Sequence, residues 1–262
     1  MYIHNLDPIL FDFGFLTIRW YSLAYLFGIL IGWWLGRKII LEKSGQLDQN
    51  FDLKKFDDLI TYLIISILIG GRLGYVFFYN PMYYLDNPID ILKIWEGGMS
   101  FHGGLIGIVG TTYIYSIREK IHLFFLLDIL ACVSPIGIFF GRIANFINGE
   151  LVGKVTNIYW GVIFPKIDNI PRHPSQLYEA LLEGVVLFFV MILIISRKSY
   201  RVSTCSYLFL IIYGLLRIFS ESFREPDPQV GYIFEMMSMG TLLSSLMILV
   251  GIFIFFKRDD IK

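Results

Sequence analysis

Long runs of apolar residues, separated by short polar segments, dominate the pattern of this chain. A helix needs about 20 mostly apolar residues to cross the hydrocarbon core of a bilayer, and seven runs satisfy this requirement. They are Phe15–Gly36, Asp58–Tyr79, Met99–Ile117, His122–Phe146, Leu177–Ser196, Thr204–Ser220 and Met237–Phe256. The pattern predicts an all-α polytopic membrane protein with seven transmembrane helices, forming a single integral membrane domain over residues 1–262.

The composition agrees with a bilayer location and excludes several other classes. Of the 262 residues, 56% are hydrophobic and 17% are charged, against roughly 25% charged residues in soluble domains. Basic and acidic residues number 22 each, so no basic field indicates a nucleic-acid ligand. The two cysteines, Cys132 and Cys205, both lie in apolar runs and indicate neither a disulfide framework nor a zinc site.

The distribution of lysine and arginine predicts the orientation. The loops after the first, third and fifth runs, together with the C-terminal segment, carry 13 of these residues, whereas the N-terminal segment and the other loops carry 5. Basic residues favour the cytoplasmic side. We therefore expect the N-terminus outside and the C-terminus in the cytoplasm, as an odd number of spans requires.

The longest connection lies between the fourth and fifth runs, from Asn148 to Gln176. A connection of this length is more often functional or separately folded than idle. Its segment Ile158–Phe164 has the character of a strand, and Asn157–Phe164 alternates imperfectly between apolar and polar residues. We predict a small extracytoplasmic head over residues 148–176, containing a hairpin.

Ionisable side chains inside a membrane cost roughly 2.5–3.5 kcal/mol each on insertion scales. The chain places Arg19, Arg72, Asp128, Arg142, Arg217 and Glu221 within or at the edges of these runs. In the predicted orientation all except Asp128 fall toward the outer leaflet, where Tyr21 and His102 also lie. Snorkelling would scatter them to both faces, so the pattern favours a shared polar cavity that opens to the outer leaflet. The alternative is a set of ion pairs that fasten helices together.

Spacing along the helices adds detail. Tyr213, Arg217 and Glu221 are four residues apart and share one helix face, so Glu221 can hold Arg217 as an ion pair. Small residues four apart allow helices to approach closely, which predicts close packing at the glycines around Arg72 and after His102. These glycines are Gly70, Gly71, Gly74, Gly103, Gly104 and Gly107.

Several function classes fit a polar cavity in a membrane. A transporter places its polar groups near the midplane, often within internal repeats, whereas these groups are off-centre and no repeat is visible. An intramembrane serine protease needs a serine in a catalytic setting with histidine, and neither Ser100 nor Ser134 has a nucleophile-elbow pattern. Several arginines indicate a phosphate ligand, and in the outer leaflet the abundant phosphate is a lipid headgroup.

The segment Gly141–Gly153, with the sequence GRIANFINGELVG, closely resembles the signature of the prolipoprotein diacylglyceryl transferase family. Ala144 stands where many members have glycine. Further segments resemble the family in the same order along nearly the whole chain: Trp20-Tyr21, Gly70–Arg72, Gly98–Leu105, Arg172–Glu179 and Tyr213–Glu221.

The resemblance implies an enzyme that transfers diacylglyceryl from phosphatidylglycerol to the lipobox cysteine in the signal peptide of a preprolipoprotein. The products are a thioether-linked lipid and glycerol phosphate. It also implies seven spans with a small head, location in a bacterial plasma (inner) membrane among membrane lipids, and no metal or cofactor. A phospholipid-binding scaffold or a lipid transporter without this chemistry stays open as the alternative.

The chemistry and the family's motifs together suggest roles for individual residues. We predict that His102 is the general base, that Arg142 and Arg217 stabilise the leaving phosphate, and that Glu221 orients them. The predicted substrate-binding residues are Tyr21, Arg72, Asn145, Asn148, Glu150 and Tyr213, with Glu150 also expected to orient the arginines. A packing role for His102 is the alternative to catalysis.

Overall fold

The computed structural model describes residues 1–14, 17–43, 52–93, 97–225, 232–233 and 237–257, with the backbone alone at 101–102 and 232–233. The chain forms two compact units, one comprising Met1–Gly36 with Asp128–Lys262 and the other Arg37–Leu127. The single integral domain over residues 1–262 stays a prediction.

Helices make up most of the described chain. In chain order they are α1 (Trp20–Lys43), α2 (Leu53–Phe78), α3 (Pro81–Asp86), a 3₁₀ helix (Pro88–Leu92), α4 (Phe101–Glu119), α5 (Leu123–Asn148), α6 (Ser175–Glu179), a π-helical turn (Ala180–Val186), α7 (Leu187–Ile195), α8 (Thr204–Glu221) and α9 (Met239–Lys257). The segment Ser175–Ile195 is one continuous helical stretch of 21 residues.

Three short strands precede α1, and four more lie between later helices. They are β1 (Tyr2–Ile3), β2 (Ile9–Asp12), β3 (Thr17–Arg19), β4 (Val162–Ile163), β5 (Pro171–Arg172), β6 (Tyr232–Ile233) and β7 (Met237–Ser238) in the described residues. Strand β4 pairs with β1 in parallel and with β5 in antiparallel orientation. The pairs β2–β3 and β6–β7 are antiparallel.

Six helical segments in the described part of the chain are long and apolar enough to cross a membrane. They are Trp20–Lys43, Leu53–Phe78, Leu123–Asn148, Ser175–Ile195, Thr204–Glu221 and Met239–Lys257. The third predicted run coincides with α4, a helix of 19 residues, which is not among the six. A mainly helical chain with six candidate membrane-spanning helices in its described part is thus confirmed, while the seventh span and the orientation stay predictions.

The first predicted run begins too early. Helix α1 starts at Trp20 because Thr17–Arg19 forms β3 and pairs with β2. Arg19 is therefore an exposed strand residue just before the helix, rather than a residue within a span. Phe15, where the run was predicted to begin, lies outside the described residues.

In the second unit, glycines bring α2 and α4 into close contact. A Cβ atom added at Gly74 would lie 2.8 Å from the Cα atom of Gly103, a distance that real contacts do not tolerate. Gly70 and Gly107 likewise face the backbone of the opposite helix. The close packing predicted from the small residues is confirmed at these four positions, because any side chain there would separate the helices.

In the first unit, Asp128 of α5 caps the start of α8. Its carboxylate accepts hydrogen bonds from the backbone N–H of Ser206, at 2.6 Å, and from the hydroxyl groups of Ser206 and Tyr200. Ser203, which precedes the helix, makes no side-chain capping bond of its own. The fully buried carboxylate thus satisfies donors at a helix N-terminus, where negative charge is favourable. Sequence analysis placed Asp128 apart from the other ionisable residues and assigned it no role.

A small sheet of β1, β4 and β5 accompanies the connection between α5 and α6. The predicted strand Ile158–Phe164 is present only at Val162–Ile163, which forms a hairpin with Pro171–Arg172. Val152, Val162 and Phe164 form a core against which Phe146 packs. His4, which follows β1, is also buried, and its Nε2 lies 2.7 Å from the carbonyl oxygen of Phe146. The sheet therefore rests directly on the end of α5.

We expect Asp128→Ala to destabilise the protein by about 3 kcal/mol, because buried donors of Ser206 and Tyr200 lose their acceptor. Tyr200→Phe removes one donor and keeps the carboxylate, so its expected cost is about 1 kcal/mol. The free energy of unfolding in detergent micelles measures both effects. Equal effects for the two variants would show that α8 does not depend on this cap.

The hairpin should lose stability in acid. Hydrogen bonds from Arg172, at 3.0 and 2.7 Å, hold the pKa of the Asp168 carboxyl below its ordinary value, with a contribution from the backbone N–H of Ile170. A depressed pKa means that the ion pair stabilises the fold above the ordinary Asp pKa of about 3.9 and is lost as pH falls through the lower folded-state pKa. Amide hydrogen exchange at Val162 and Ile163, compared with Asp168→Asn, measures this loss. If the exchange rates of the protein and the variant differ by the same factor at pH 7 and below pH 3, the ion pair contributes nothing to the stability of the hairpin.

Candidate active site

Six charged side chains of the first unit lie together, and we call them the charge cluster. They are Arg142 on α5, Glu179 at the end of α6, Glu183 in the π-helical turn, Arg217 and Glu221 on α8, and Arg224 after α8.

Glu179 joins the three arginines. Its Oε1 lies 2.5 Å from Nη1 of Arg217 and 3.4 Å from Nη1 of Arg224, while its Oε2 lies 3.0 Å from Nη1 of Arg142. The carboxylate therefore ties α5 to α8 through the N-terminal end of the α6 stretch.

Glu183 forms a second bridge between the same two helices. Its Oε2 lies 3.2 Å from Nη2 of Arg142, and its Oε1 lies 3.5 Å from Nη1 of Arg217. The Ser220 hydroxyl donates a 2.9 Å hydrogen bond to the same Oε1. The two terminal nitrogens of Arg142 thus each face a different glutamate, which fixes the plane of its guanidinium.

Glu221 holds Arg217 from its own helix. Its Oε2 lies 2.5 Å from Nη2 of Arg217, as their spacing of four residues predicted. The carboxylate packs against Gly240 on α9, where an added Cβ atom would lie 2.8 Å from Oε1. Any side chain at position 240 would therefore displace Glu221.

Burial differs within the charge cluster. The side chains of Glu179 and Glu183 have no exposed surface, whereas those of Arg217 and Arg142 are 9% and 17% exposed. Buried charges are tolerated only when they are paired, and three guanidinium groups face three carboxylates here. Among the six members of the charge cluster, Arg142 therefore has the most exposed side chain.

Sequence analysis brought Arg142, Arg217 and Glu221 together correctly but missed half of the cluster. Glu179 was placed at the start of the predicted fifth span without a role, and neither Glu183 nor Arg224 was assigned one. The available signal was the spacing of Glu179 and Glu183, four residues apart inside the predicted fifth span. Two acidic residues on one face of a span are costly enough to require cationic partners.

A second polar network lies where α5 ends. Nδ2 of Asn145 donates to Oε1 of Glu150, at 2.7 Å, and to the hydroxyl of Tyr21, at 3.4 Å. Asn148 donates to the same carboxylate oxygen at 3.5 Å. Four predicted substrate-binding residues thus form one polar network.

The prediction that Glu150 orients the arginines is wrong for the described structure. Within the described ranges Glu150 forms no ion pair with arginine and instead binds the two asparagines. The physical reason is the turn at Gly149, whose φ of +70° is in the left-handed region. This turn folds the chain back, so that the N–H of Glu150 donates to the carbonyl of Asn145 at 3.1 Å.

The start of α6 clamps the segment after Glu150. Nε2 of Gln176 donates to the carbonyl of Glu150 at 2.6 Å, and the hydroxyl of Ser175 donates to the carbonyl of Leu151 at 3.0 Å. Both side chains are fully buried. At Gly153 an added Cβ atom would lie 2.7 Å from the carbonyl oxygen of Phe223, so the backbones meet without room for a side chain. These contacts explain Gly153 and the Ser-Gln pair in the motifs.

Tyr213 lies one helical turn before Arg217 on α8. Its ring stacks almost parallel on Phe209, with centroids 5.6 Å apart and an interplanar angle of 6°. The ring is therefore held in place by packing within its own helix.

The second unit carries the two remaining predicted residues. The guanidinium of Arg72 donates to the backbone carbonyls of Asp90, Ile91, Gly97 and Gly98 at 2.5, 2.9, 2.5 and 3.3 Å. It also lies over the ring of Tyr84, 5.2 Å from the centroid. These contacts hold the connection before α4 and account for Arg72 without a ligand. His102 belongs to the first turn of α4, and its side chain lies outside the described residues.

Comparison with known proteins places the chain in a family. The family model described as prolipoprotein diacylglyceryl transferase matches residues 8–257. A phosphatidylglycerol–prolipoprotein diacylglyceryl transferase of Rickettsia bellii (strain OSU 85-389) is 50% identical over 257 residues, covering 97% of this chain and 96% of the relative. The proteins of that name from Rickettsia africae (strain ESF-5) and Rickettsia typhi (strain ATCC VR-144 / Wilmington) are 51% and 48% identical, covering 94% and 99% of this chain and 95% and 100% of the relatives. The chain belongs to the prolipoprotein diacylglyceryl transferase family.

Proposed function

We propose that this protein transfers the diacylglyceryl group of phosphatidylglycerol to the lipobox cysteine thiol in the signal peptide of a preprolipoprotein, the first step of bacterial lipoprotein maturation. The observation that carries the proposal is the charge cluster. Arg142 and Arg217, held 3.0 and 2.5 Å from one fully buried glutamate, lie between apolar helices in a chain of this family. The relatives' names favour this function over a phospholipid-binding scaffold or a lipid transporter.

The proposal includes a topology. It has seven spans, with α4 as the third, an N-terminus outside and a C-terminus in the cytoplasm. The membrane is the plasma (inner) membrane of a bacterium. Arg142 and Arg217 then lie roughly 6 to 9 Å inside the outer ends of α5 and α8. This depth suits the phosphate of an outer-leaflet lipid. The sheet of β1, β4 and β5 forms the core of the extracytoplasmic head.

The proposed reaction is a substitution at carbon. A base removes the thiol proton, and the sulfur attacks the glyceryl carbon that carries the phosphate ester. The S–C bond forms while the C–O bond to phosphate breaks, and the bonding pair leaves with the phosphate oxygen. A singly charged phosphodiester becomes a phosphate monoester with a second negative charge, and the products are the thioether-linked lipid and glycerol phosphate. The balance requires no metal or cofactor.

The charge cluster suits this step because charge develops on the departing oxygen. Guanidinium groups fixed in an apolar surrounding stabilise such charge more strongly than they would in water. In this proposal Arg142, the most exposed side chain of the cluster, contacts the phosphate, and Arg217 and Glu221 hold the arrangement in place. The reaction needs a base, because a thiol of pKa about 8.5 is only slightly ionised at neutral pH. We assign this role to His102, because histidine takes up and releases protons near neutral pH.

The polar network offers hydrogen-bonding groups to the headgroup. Tyr21, Asn145, Asn148 and Glu150 lie within one connected set of contacts, and the glycerol hydroxyls of phosphatidylglycerol need such donors and acceptors. Tyr213 lies on α8 one turn before Arg217 and is a further proposed headgroup-binding residue. For Arg72 the observed carbonyl contacts favour a role in shaping the connection before α4.

The transferase assay separates the three functions. The purified protein is mixed with vesicles of phosphatidylglycerol labelled in the headgroup and with a lipobox peptide, and release of labelled glycerol phosphate is measured. A peptide with serine in place of the lipobox cysteine is the matched control. Release that requires the cysteine supports the transferase. Headgroup binding without release supports a scaffold, and lipid movement between leaflets without release supports a transporter.

Arg142→Ala should slow the transfer by a factor of about 10² to 10³, by analogy with the loss of one oxyanion donor. Arg142→Lys should recover little, because an ammonium group cannot face Glu179, Glu183 and a phosphate in one plane. Arg19→Lys, at an exposed strand position, is the matched control and should retain normal activity. Near-normal transfer by Arg142→Lys would rule out planar recognition of the phosphate.

His102→Gln should reduce the transfer rate by a factor of about 10² to 10⁴. If the imidazole is the base, the activity of the unaltered protein falls as pH drops through a pKa near 6.5, because the protonated ring accepts no proton. The variant should lack this acidic limb. The pH profile in reconstituted vesicles measures both, and a variant with normal activity and the same profile would remove His102 as the base.

A further inference from the structure

The charge cluster contains more negative charge than phosphate binding requires. Three guanidinium groups and three carboxylates cancel, so the formal charge of the cluster is zero. Glu179 and Glu183 occupy both terminal nitrogens of Arg142. A site built for affinity alone would leave these donors free for the phosphate.

Substrate and product of the proposed reaction differ in charge. A phosphodiester carries one negative charge, whereas a phosphate monoester carries about 1.5 to 2 at pH 7 because its second pKa is about 6. Any fixed charge beside the phosphate therefore acts about twice as strongly on the product as on the substrate, since Coulomb energy is proportional to ligand charge.

We propose that Glu183 sets the discrimination of this site between phosphate esters, so that the site holds a singly charged phosphodiester and releases the doubly charged monoester. Glu183 acts through Arg142 and Arg217 and is a positioning residue, because its side chain has no exposed surface. The proposal rests on the proposed function in naming the product, but its test needs no turnover.

Glu183 suits this role better than Glu179. Its contacts with Arg142 and Arg217, at 3.2 and 3.5 Å, are longer than the 2.5 Å contact between Glu179 and Arg217. Glu179 also contacts a third arginine, Arg224. Removing the charge of Glu183 therefore disturbs the packing of the helices less. Glu183→Gln keeps the shape of the side chain and an oxygen that accepts the Ser220 hydrogen bond, while the cluster gains one net positive charge.

The experiment measures equilibrium binding by titration calorimetry at pH 8 to the purified full chain in detergent. The two probes are glycerol phosphate, a monoester, and glycerophosphoglycerol, the diester that matches the lipid headgroup. Glu183→Gln should bind glycerol phosphate at least about tenfold more tightly, and the diester only about threefold more tightly, because the change in binding free energy doubles with ligand charge.

Ser220→Ala is the matched control. It removes the 2.9 Å hydrogen bond to Glu183 without changing any charge, so the ratio of the two affinities should stay at its original value. A purely structural role of Glu183 would change both affinities by the same factor in Glu183→Gln, and that result overturns the proposal. A smaller gain in affinity for glycerol phosphate than for the diester in that variant also overturns it.

A second variant keeps the test decisive if Glu183→Gln does not fold. Glu221→Gln also adds one net positive charge, at a side chain that is 9% exposed and lies at the end of α8. In this variant too, the factor gained for glycerol phosphate should be about the square of the factor gained for the diester. Equal factors for the two probes overturn the proposal. If the unaltered protein transfers lipid but the variant keeps the original ratio of the two affinities, this inference alone is wrong. If the ratio shifts in the variant but the unaltered protein shows no transfer, this inference is supported and the proposed function is wrong.

Discussion

Mutual neutralisation of charges between apolar helices is the constraint on which the described site depends. A carboxylate or guanidinium group that is withdrawn from water without a partner is too costly to keep. Glu179 and Glu183 are fully buried, and both face Arg142 and Arg217. Removing one member leaves the others uncompensated, which typically costs 3–5 kcal/mol in a buried pair. The same contacts that make burial tolerable therefore fix α5, the α6 stretch and α8 relative to one another.

The polar network around Glu150 uses α5 and α6 in another way. Gly149 ends α5 in a left-handed turn, and Gln176 and Ser175 at the start of α6 hold the following backbone. Glu150 is thereby directed toward Asn145. The charge cluster and the polar network consequently share α5 and α6 as a common frame. A headgroup with one phosphate and several hydroxyls needs both kinds of recognition.

Two arginines with similar sequence surroundings serve different purposes. Arg72, flanked by glycines, donates to four backbone carbonyls and holds a connection. Arg142, which follows a glycine, faces two carboxylates and keeps accessible surface. The difference matters for function, because carbonyl dipoles do not neutralise a guanidinium, whereas carboxylates tune how strongly it attracts an anion. A family resemblance alone does not distinguish these two uses.

The sequence by itself determined the features that depend on local pattern. Apolar length predicted the six described helices that are long and apolar enough to cross a membrane. Small-residue spacing predicted close packing at the glycines, and a spacing of four predicted the pair of Arg217 and Glu221. Only the tertiary structure decided which face meets which. Glu183 joins Arg217 across 34 residues of chain, and Asp128 reaches Ser206 across 78. The periodicity of one helix identifies its polar face but carries no information about the helix that supplies the partner, because that depends on the packing of the whole chain.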